Sequence, residues 1–115
     1  MAVTAQGSGT QVATVTTEHT LLDVAVNGVF QLVVDCVNMV AGDAVELRVY
    51  QIVLTGGTRR VAMYQSFFDA QPADDVAKIA VPISNELTDA GSLRFSLKQT
   101  LGTSRSFPWK VLKLG

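Results

Sequence analysis

The residues of this sequence that could carry chemistry are few and scattered. His19 is the single histidine and Cys36 the single cysteine, so the chain cannot supply the three or four nitrogen and sulfur ligands of a zinc site. A nucleophilic site would have to be built around His19, whose Thr-Glu-His-Thr context is typical of a polar turn. Cys36 ends an apolar run, which is typical of a small buried hydrophobe.

The acidic residues and the glycines indicate no reaction either. Asp74 and Asp75, with Asp69 nearby, lack the spaced oxygen ligands of a calcium loop, so we expect solvated charge there. No pair of carboxylates stands out for glycosidic cleavage. No Lys-Ser/Thr follows Gly56 and Gly57, as a phosphate-binding loop would require. We therefore predict that the protein is not an enzyme and that it has no catalytic residue, cofactor or metal.

Composition indicates one globular domain made of strands. The chain has 115 residues, of which 48% are apolar and 17% charged, and valine and threonine favour strands over helices. A net charge of -1 provides no electrostatic attraction for nucleic acid or an anionic membrane, so we expect neither as a partner. No apolar run reaches the length that spans a bilayer, and a free thiol suits synthesis in a reducing compartment such as the cytosol.

The N-terminal segment is small and polar, with Gly7, Ser8 and Gly9 at its centre. Such a composition is typical of a mobile segment. We predict a flexible arm over residues 1–10 and a single β-sandwich domain over residues 11–115. The arm is expected either to fray in solvent or to become ordered against a neighbouring subunit.

The central part of the chain, residues 44–68, has the pattern of a hairpin around Gly56 and Gly57, because tight turns need the positive φ that glycine tolerates. A two-residue loop pairs Val49 with Tyr64 and makes the opposite face unusually apolar for a solvated sheet. That face is buried either by the chain's own loops or by another subunit. The possible subunit interface consists of Tyr50, Ile52, Leu54, Val61 and Met63.

Other strands follow from alternation along the chain. Residues 29–36 predict a strand with Phe30, Leu32 and Val34 on one face. A three-residue loop over residues 100–102 predicts a last hairpin with Phe95 opposite Phe107. It also places Leu93 opposite Trp109. The sum is about seven or eight strands with regularly spaced turns, which predicts an all-β, antiparallel, jelly-roll-like β-sandwich.

Three stretches together resemble the small all-β capsid decoration, or cement, proteins of tailed bacteriophages. The stretches are residues 16–21, then residues 30–35 continuing through Gly42-Asp43 to residues 46–50 and 55–58, and finally residues 97–100 with Gly102-Thr103 and residues 106–109. The resemblance covers most of the chain after residue 15, and its motifs are structural.

The resemblance implies a structural virion protein with a jelly-roll-like fold. Such a protein is synthesised in the host cytoplasm, lies on the capsid exterior and stabilises the head by binding major capsid subunits, commonly as a homotrimer. We therefore expect the major capsid protein as partner and a homo-oligomer, with a trimer favoured. The alternatives are a carbohydrate- or receptor-binding β-sandwich module, and a head–tail or tail structural protein of a phage.

Overall fold

The computed structural model describes residues 2–115, which form nine β-strands and one short 3-10 helix. The strands are β1 (Val3–Val12), β2 (Glu18–Val24), β3 (Gly28–Asp35), β4 (Ala44–Ile52), β5 (Arg59–Phe68), β6 (Ala77–Ile79), β7 (Ile83–Asn85), β8 (Leu93–Leu101) and β9 (Ser106–Leu114). The 3-10 helix, Ala73–Asp75, lies between β5 and β6. Pro82 lies between β6 and β7 and cannot donate to a ladder, which accounts for the break between these two short strands.

The nine strands make two antiparallel sheets that pack face to face, so the predicted all-β sandwich is confirmed. The first sheet has the order β1-β9-β3-β6, and β7 also pairs with β3. The second sheet has the order β2-β8-β4-β5. Every connection crosses from one sheet to the other, except those between β4 and β5 and between β6 and β7. Neighbours in space are therefore mostly distant in sequence.

The core lies between the inner faces of the two sheets. Along β3, Phe30, Leu32 and Val34 are fully buried and alternate with partly exposed residues, as their period of two predicts. From the second sheet, β8 adds Phe95 and Leu97, which are also fully buried. Burial of apolar surface on this scale is the main favourable term in folding.

The predicted hairpin between the last two strands is wrong. β8 pairs with β2 and β4, whereas β9 lies between β1 and β3 in the other sheet. The buried amide of Gln99 holds the loop that makes this crossing, since its nitrogen donates to the Thr103 carbonyl (2.7 Å) and its oxygen accepts from the Arg105 N–H (3.0 Å). Phe95 and Phe107 thus belong to one core but come from opposite sheets.

The central hairpin exists, but its predicted two-residue loop and register are wrong. β4 ends at Ile52 and β5 begins at Arg59, and Gly56 provides its positive φ within the wider loop between them. A bulge in β5 at Ala62 shifts the pairing, so Val49 is opposite Met63 instead of Tyr64. A shift of one residue exchanges the two faces of a strand, so Met63 points into the core and Tyr64 to solvent.

The predicted flexible arm is also corrected, although Met1, its first residue, lies outside the described part of the chain. Val3–Val12 is β1, an edge strand paired along its length with β9. Its glycines lie where large side chains approach: a Cβ on Gly9 would be 3.4 Å from the Trp109 indole nitrogen, and one on Gly7 would be 3.0 Å from Leu22. The composition is typical of a flexible segment, but in the fold these residues form a paired edge strand.

Asp43 joins three loops at one end of the sandwich. Its carboxylate accepts hydrogen bonds from the Val40 N–H (3.0 Å) and the Arg105 guanidinium (2.8 Å), and its backbone carbonyl accepts from the Asp69 N–H (2.8 Å). Burial by itself raises the pKa of this carboxyl, but the hydrogen bonds outweigh burial and the net pKa is lowered. Asp43 is therefore ionised and stabilising in the folded protein at neutral pH.

We predict that Asp43→Asn lowers the free energy of unfolding at pH 7 by about 2 kcal/mol, because it removes a charge-assisted bond at a buried site. A lowered folded-state pKa gives stability that is present above the unfolded pKa of about 3.9 and is lost as pH falls through the folded value. The variant should therefore lose less stability than the parent between about pH 5 and pH 2. Urea unfolding measured across this range checks both effects, with exposed Asp74→Asn as the control. Parallel pH profiles for parent and Asp43→Asn would contradict the assignment.

Candidate functional site

The outer face of the second sheet carries polar side chains in cross-strand rows. One row runs from Glu18 through Lys98 to Glu46, and the next places Ser96 beside Arg48. We call this surface the polar face. Its side chains come from β2, β8, β4 and β5: Glu18, Asp23, Glu46, Arg48, Tyr50, Tyr64, Arg94, Ser96 and Lys98. Alternation puts them outside because their neighbours along each strand fill the core.

One group on the polar face is built around Glu18. It accepts a hydrogen bond from the Tyr50 hydroxyl (2.5 Å) and another from the Ser96 hydroxyl (2.6 Å). Burial raises the pKa of Glu18, but the bonds from Ser96 and Tyr50 more than offset it and leave the pKa lowered. Burial and the bond to Glu18 both raise the pKa of Tyr50. The pair is therefore held as an ionised carboxylate and a neutral phenol.

A second group on the polar face is built around Glu46. Its carboxylate accepts from the Tyr64 hydroxyl (2.7 Å) and pairs with the Arg48 guanidinium (2.9 Å). The same guanidinium lies 5.0 Å from the centre of the Tyr64 ring, in cation–π geometry. The bond from Tyr64 is the main reason that the pKa of Glu46 is lowered.

An open cleft of about 350 Å³ lies next to the Glu18 carboxylate and is lined by Glu18, Thr20, Tyr50, Arg59 and Arg94. Arg94 makes a two-pronged salt bridge with Asp23, with distances of 2.7 and 2.9 Å. The Arg59 guanidinium is fixed by a bond to the Gly91 carbonyl (3.0 Å). Two guanidinium groups, a carboxylate and two hydroxyl groups thus converge on one concave surface, as in sites that bind polar ligands.

The carboxyl groups beside this cleft are suited to binding and not to acid catalysis. The hydrogen bond from Arg94 lowers the pKa of Asp23, and the pKa of Glu18 is lowered as well. A glycosidase general acid needs the opposite shift, a raised pKa that keeps its proton near neutral pH. Both groups can accept hydrogen bonds from a ligand, but neither holds a proton to give.

The outer face of the first sheet has the contrasting character, and we call it the apolar face. Its members come from β3, β6 and β9: Val29, Val33, Ala77, Ile79, Pro108 and Leu112. Ile79 is 60% exposed and Val29 37% exposed. A groove of about 310 Å³ runs across this face and includes Val33, Ala77 and Pro108, with Asp35 and Lys110 among its polar lining.

The residues singled out for chemistry lie apart from one another. His19 lies in β2 and not in the polar turn that its sequence context indicated, and its Nε2 accepts a hydrogen bond from the Thr14 N–H (3.0 Å). Cys36 is fully buried, and burial raises the pKa of its thiol to about 11, so the thiol is inert at neutral pH. Asp75 pairs with Lys78 (3.0 Å). Among residues 2–115, no three His, Cys, Asp or Glu side chains lie close enough to hold a metal ion.

The five residues of the possible subunit interface do not form one surface. Tyr50 and Val61 are directly opposite on the outer face of the second sheet, and Val61 is 52% exposed. Leu54 is also exposed but lies beyond the strand, in the loop between β4 and β5. Ile52 is buried, and Met63 packs against the core. A contact role for Tyr50, Leu54 and Val61 stays a prediction.

Sequence reasoning missed the cleft because its members come from four strands, β2, β4, β5 and β8. Glu18 and Thr20 lie in β2, and Arg94 lies in β8, which had been paired with β9. The available signal was the polar alternation of Arg94, Ser96 and Lys98, which marks one outward face of a strand. It indicates a polar face but does not identify which strands flank it.

Comparisons with known proteins add no relative. A scan against protein-family models and searches of curated proteins and of solved structures each found no match. Within the described residues, no helix is long and apolar enough to cross a membrane. The function must therefore be argued from the two faces and the strand arrangement.

We predict that Glu18→Gln lowers the pKa of Tyr50 toward its ordinary value of about 10, because the carboxylate that favours the neutral phenol is gone. The measurement is tyrosinate absorbance during a titration to high pH, in a Tyr64→Phe background that leaves Tyr50 as the only tyrosine. Glu86→Gln, an exposed change elsewhere, is the control. An unchanged Tyr50 titration would show that the 2.5 Å contact does not govern its pKa.

Proposed function

We propose that this protein is a structural virion protein that decorates a bacteriophage capsid by binding the outer surface of the major capsid subunits and stabilising them. In this proposal it acts as a homo-oligomer, with a trimer favoured, on the capsid exterior. The resemblance of three stretches to the decoration proteins of tailed phages motivates the proposal. The exposed apolar face of the first sheet is the observation that carries it.

The strand arrangement supports a fold suited to this role. We assign the order β1-β9-β3-β6 packed on β2-β8-β4-β5 to the jelly roll, in which two Greek keys wind between two sheets. Jelly rolls occur in viral capsid proteins and also in lectins, so the assignment favours virion and glycan-binding functions over others. The fold does not distinguish a virion function from a glycan-binding function, so the choice depends on the exposed surfaces.

The apolar face supports a protein partner. Ile79 is directly opposite Val33, and together with the groove beside Val33 it exposes apolar surface on one side of the molecule. Val29 lies on the same face but farther along β3, beyond Gln31. Exposed apolar regions of this kind mark sites of protein–protein interaction, because covering them removes apolar surface from water. Asp35 and Lys110 lie in the groove and can pair with charges of either sign on the partner.

The proposal is tested by adding the protein to phage heads that lack it and measuring co-elution by size-exclusion chromatography with light scattering. We expect binding at a fixed stoichiometry and a trimeric free protein. Ile79→Asp should weaken binding by about tenfold or more, since it would bury an unpaired charge in the contact. The control is Leu101→Asp, which is similarly exposed (57% against 60%) but lies in the other sheet.

Two results would contradict the proposal. If phage heads do not retain the protein, the proposal of capsid decoration is contradicted. If purified tails retain it instead, a head–tail or tail structural protein is favoured. Equal binding by Ile79→Asp and the parent would exclude the apolar face as the contact, even if the protein binds heads.

A second candidate function, a carbohydrate- or receptor-binding module, is favoured by the cleft on the polar face. Tyr50 lies at this outer surface instead of in the core, beside two guanidinium groups and the Glu18 carboxylate. Hydroxyl and charged groups of this kind, placed around a concave surface, fix the orientation of a polar ligand.

For this candidate we predict specific binding on a glycan array and its loss in Arg94→Gln, because that change removes a guanidinium from the cleft. Arg60→Gln is the control: it changes an exposed arginine that does not line the cleft. Binding that survives Arg94→Gln, or an array without signal, would count against the module.

A further inference from the structure

The edge strand β1 is attached in an unusual way, almost entirely by its backbone. Its side chains are exposed on both faces, and only Gly7 and Gln11 are partly buried. Even its apolar ends, Val3 and Val12, are each 61% exposed. By contrast, its backbone pairs with β9 from Val3, opposite Leu114, to Val12, opposite Ser106. The strand is held by hydrogen bonds that any equivalent β9 could provide.

The attachment ends sharply at Ala13. This residue is fully buried, its N–H donates to the Arg105 carbonyl (2.9 Å), and its carbonyl accepts from the Ser104 hydroxyl. The chain before Ala13 can therefore leave the sheet while the chain after it stays in place. The boundary between Val12 and Ala13 is a natural pivot.

We propose that β1 is exchanged between copies of this chain, so that residues 2–12 of one copy pair with β9 of a second copy. Exchange of an identical strand remakes every backbone bond that it breaks, so it costs little beyond association itself. This inference does not depend on capsid binding.

The fit of β1 to its site selects a second copy over another protein. A Cβ on Gly7 would come within 3.0 Å of Leu22, so this position favours glycine, whereas a Cβ on Gly9 would be 3.4 Å from the Trp109 indole nitrogen, an ordinary contact. A register irregularity between Ala5 and Gly7 matches the strand to this edge. A second copy presents the same leucine and the same register by identity.

The strand has no spare residues to span a gap, because Val3–Val12 pairs with β9 along its whole length and Ala13 is held beside Arg105. Exchange therefore requires the Ser106 ends of the two β9 strands to lie side by side, next to the two Ala13 pivots. No unfolding beyond β1 is needed.

A pair of engineered thiols tests the exchange directly. Ser8 and Lys110 are directly opposite on β1 and β9 and both are exposed, so Ser8→Cys with Lys110→Cys forms a disulfide wherever the two strands pair. In an unexchanged monomer the disulfide closes within one chain, and in an exchanged assembly it links two chains. The matched control is Val29→Cys with Ser84→Cys, an exposed pair between β3 and β7 that stays within one chain in both cases.

After refolding at high concentration and mild oxidation, a non-reducing gel should show covalent dimers or larger rings for the Ser8/Lys110 variant. The control variant should show single chains only. A second pair, Ala5→Cys with Leu112→Cys, should behave like the first and guards against local misfolding at either site. Circular dichroism confirms that each variant retains its strands.

The inference is overturned if both β1–β9 pairs close only within single chains at every concentration, or if they form no link in a folded protein. Covalent multimers in the Val29/Ser84 control as well would attribute linkage to exposed thiols and would also overturn it. The experiment contains no capsid, so its failure leaves the proposed function untouched, and failure of capsid binding leaves strand exchange untouched.

Discussion

The structure depends on one constraint: both sheets must bury one face against the other, and no other layer covers them. Phe30 and Phe107 from the first sheet and Phe95 from the second are fully buried in one core. Because consecutive side chains point to opposite faces, each strand that fills the core must present its alternate residues outward. The properties of the two outer faces, and so of any binding surface, are set by the residues left over from packing.

The two outer faces differ in the polarity of the side chains that they expose. The polar face balances charges along its rows, and Glu18 and Glu46 are held ionised by hydroxyl and guanidinium donors. Its carboxylates are therefore bonded within the chain. The apolar face leaves Ile79 and Val29 in water, where they gain free energy only if something covers them. This asymmetry is why a protein partner is proposed for one face and a polar ligand for the other.

The edge strands β1 and β5 differ in how much their side chains contribute to the core. The first sheet ends at β1, whose glycines pack on Leu22 and Trp109 while its other side chains remain exposed. The second sheet ends at β5, which buries Met63 and Phe67 partly against the core. Removing β5 would open the core, whereas removing β1 would break mainly backbone bonds that another copy can remake. This difference is why exchange is proposed for β1 and not for β5.

The sequence by itself determined the fold class and much of the core, because alternation is local: Phe30, Leu32 and Val34 share a buried face, as their spacing predicted. It also indicated positive φ in the turn at Gly56 and Gly57 and at Gly102; Gly56 and Gly102 have it, and Gly57 does not. Partner strands were decided only in the tertiary structure. Every antiparallel strand offers the same backbone hydrogen bonds, so the local pattern does not identify its partner. It could not show that buried Gln99 binds the loop through which the chain passes from β8 to β9 in the other sheet.

The same limit explains the remaining errors. The bulge at Ala62 reverses the faces of β5, and a single inserted residue leaves no mark in composition. Glycines near the N-terminus indicated a flexible arm, because β9, the strand that pairs with this segment, lies far away in sequence. The sequence predicted the buried face of β3; the packing of the two sheets decided which face of β5 turns inward, which residues meet, and therefore where the polar cleft and the apolar face lie.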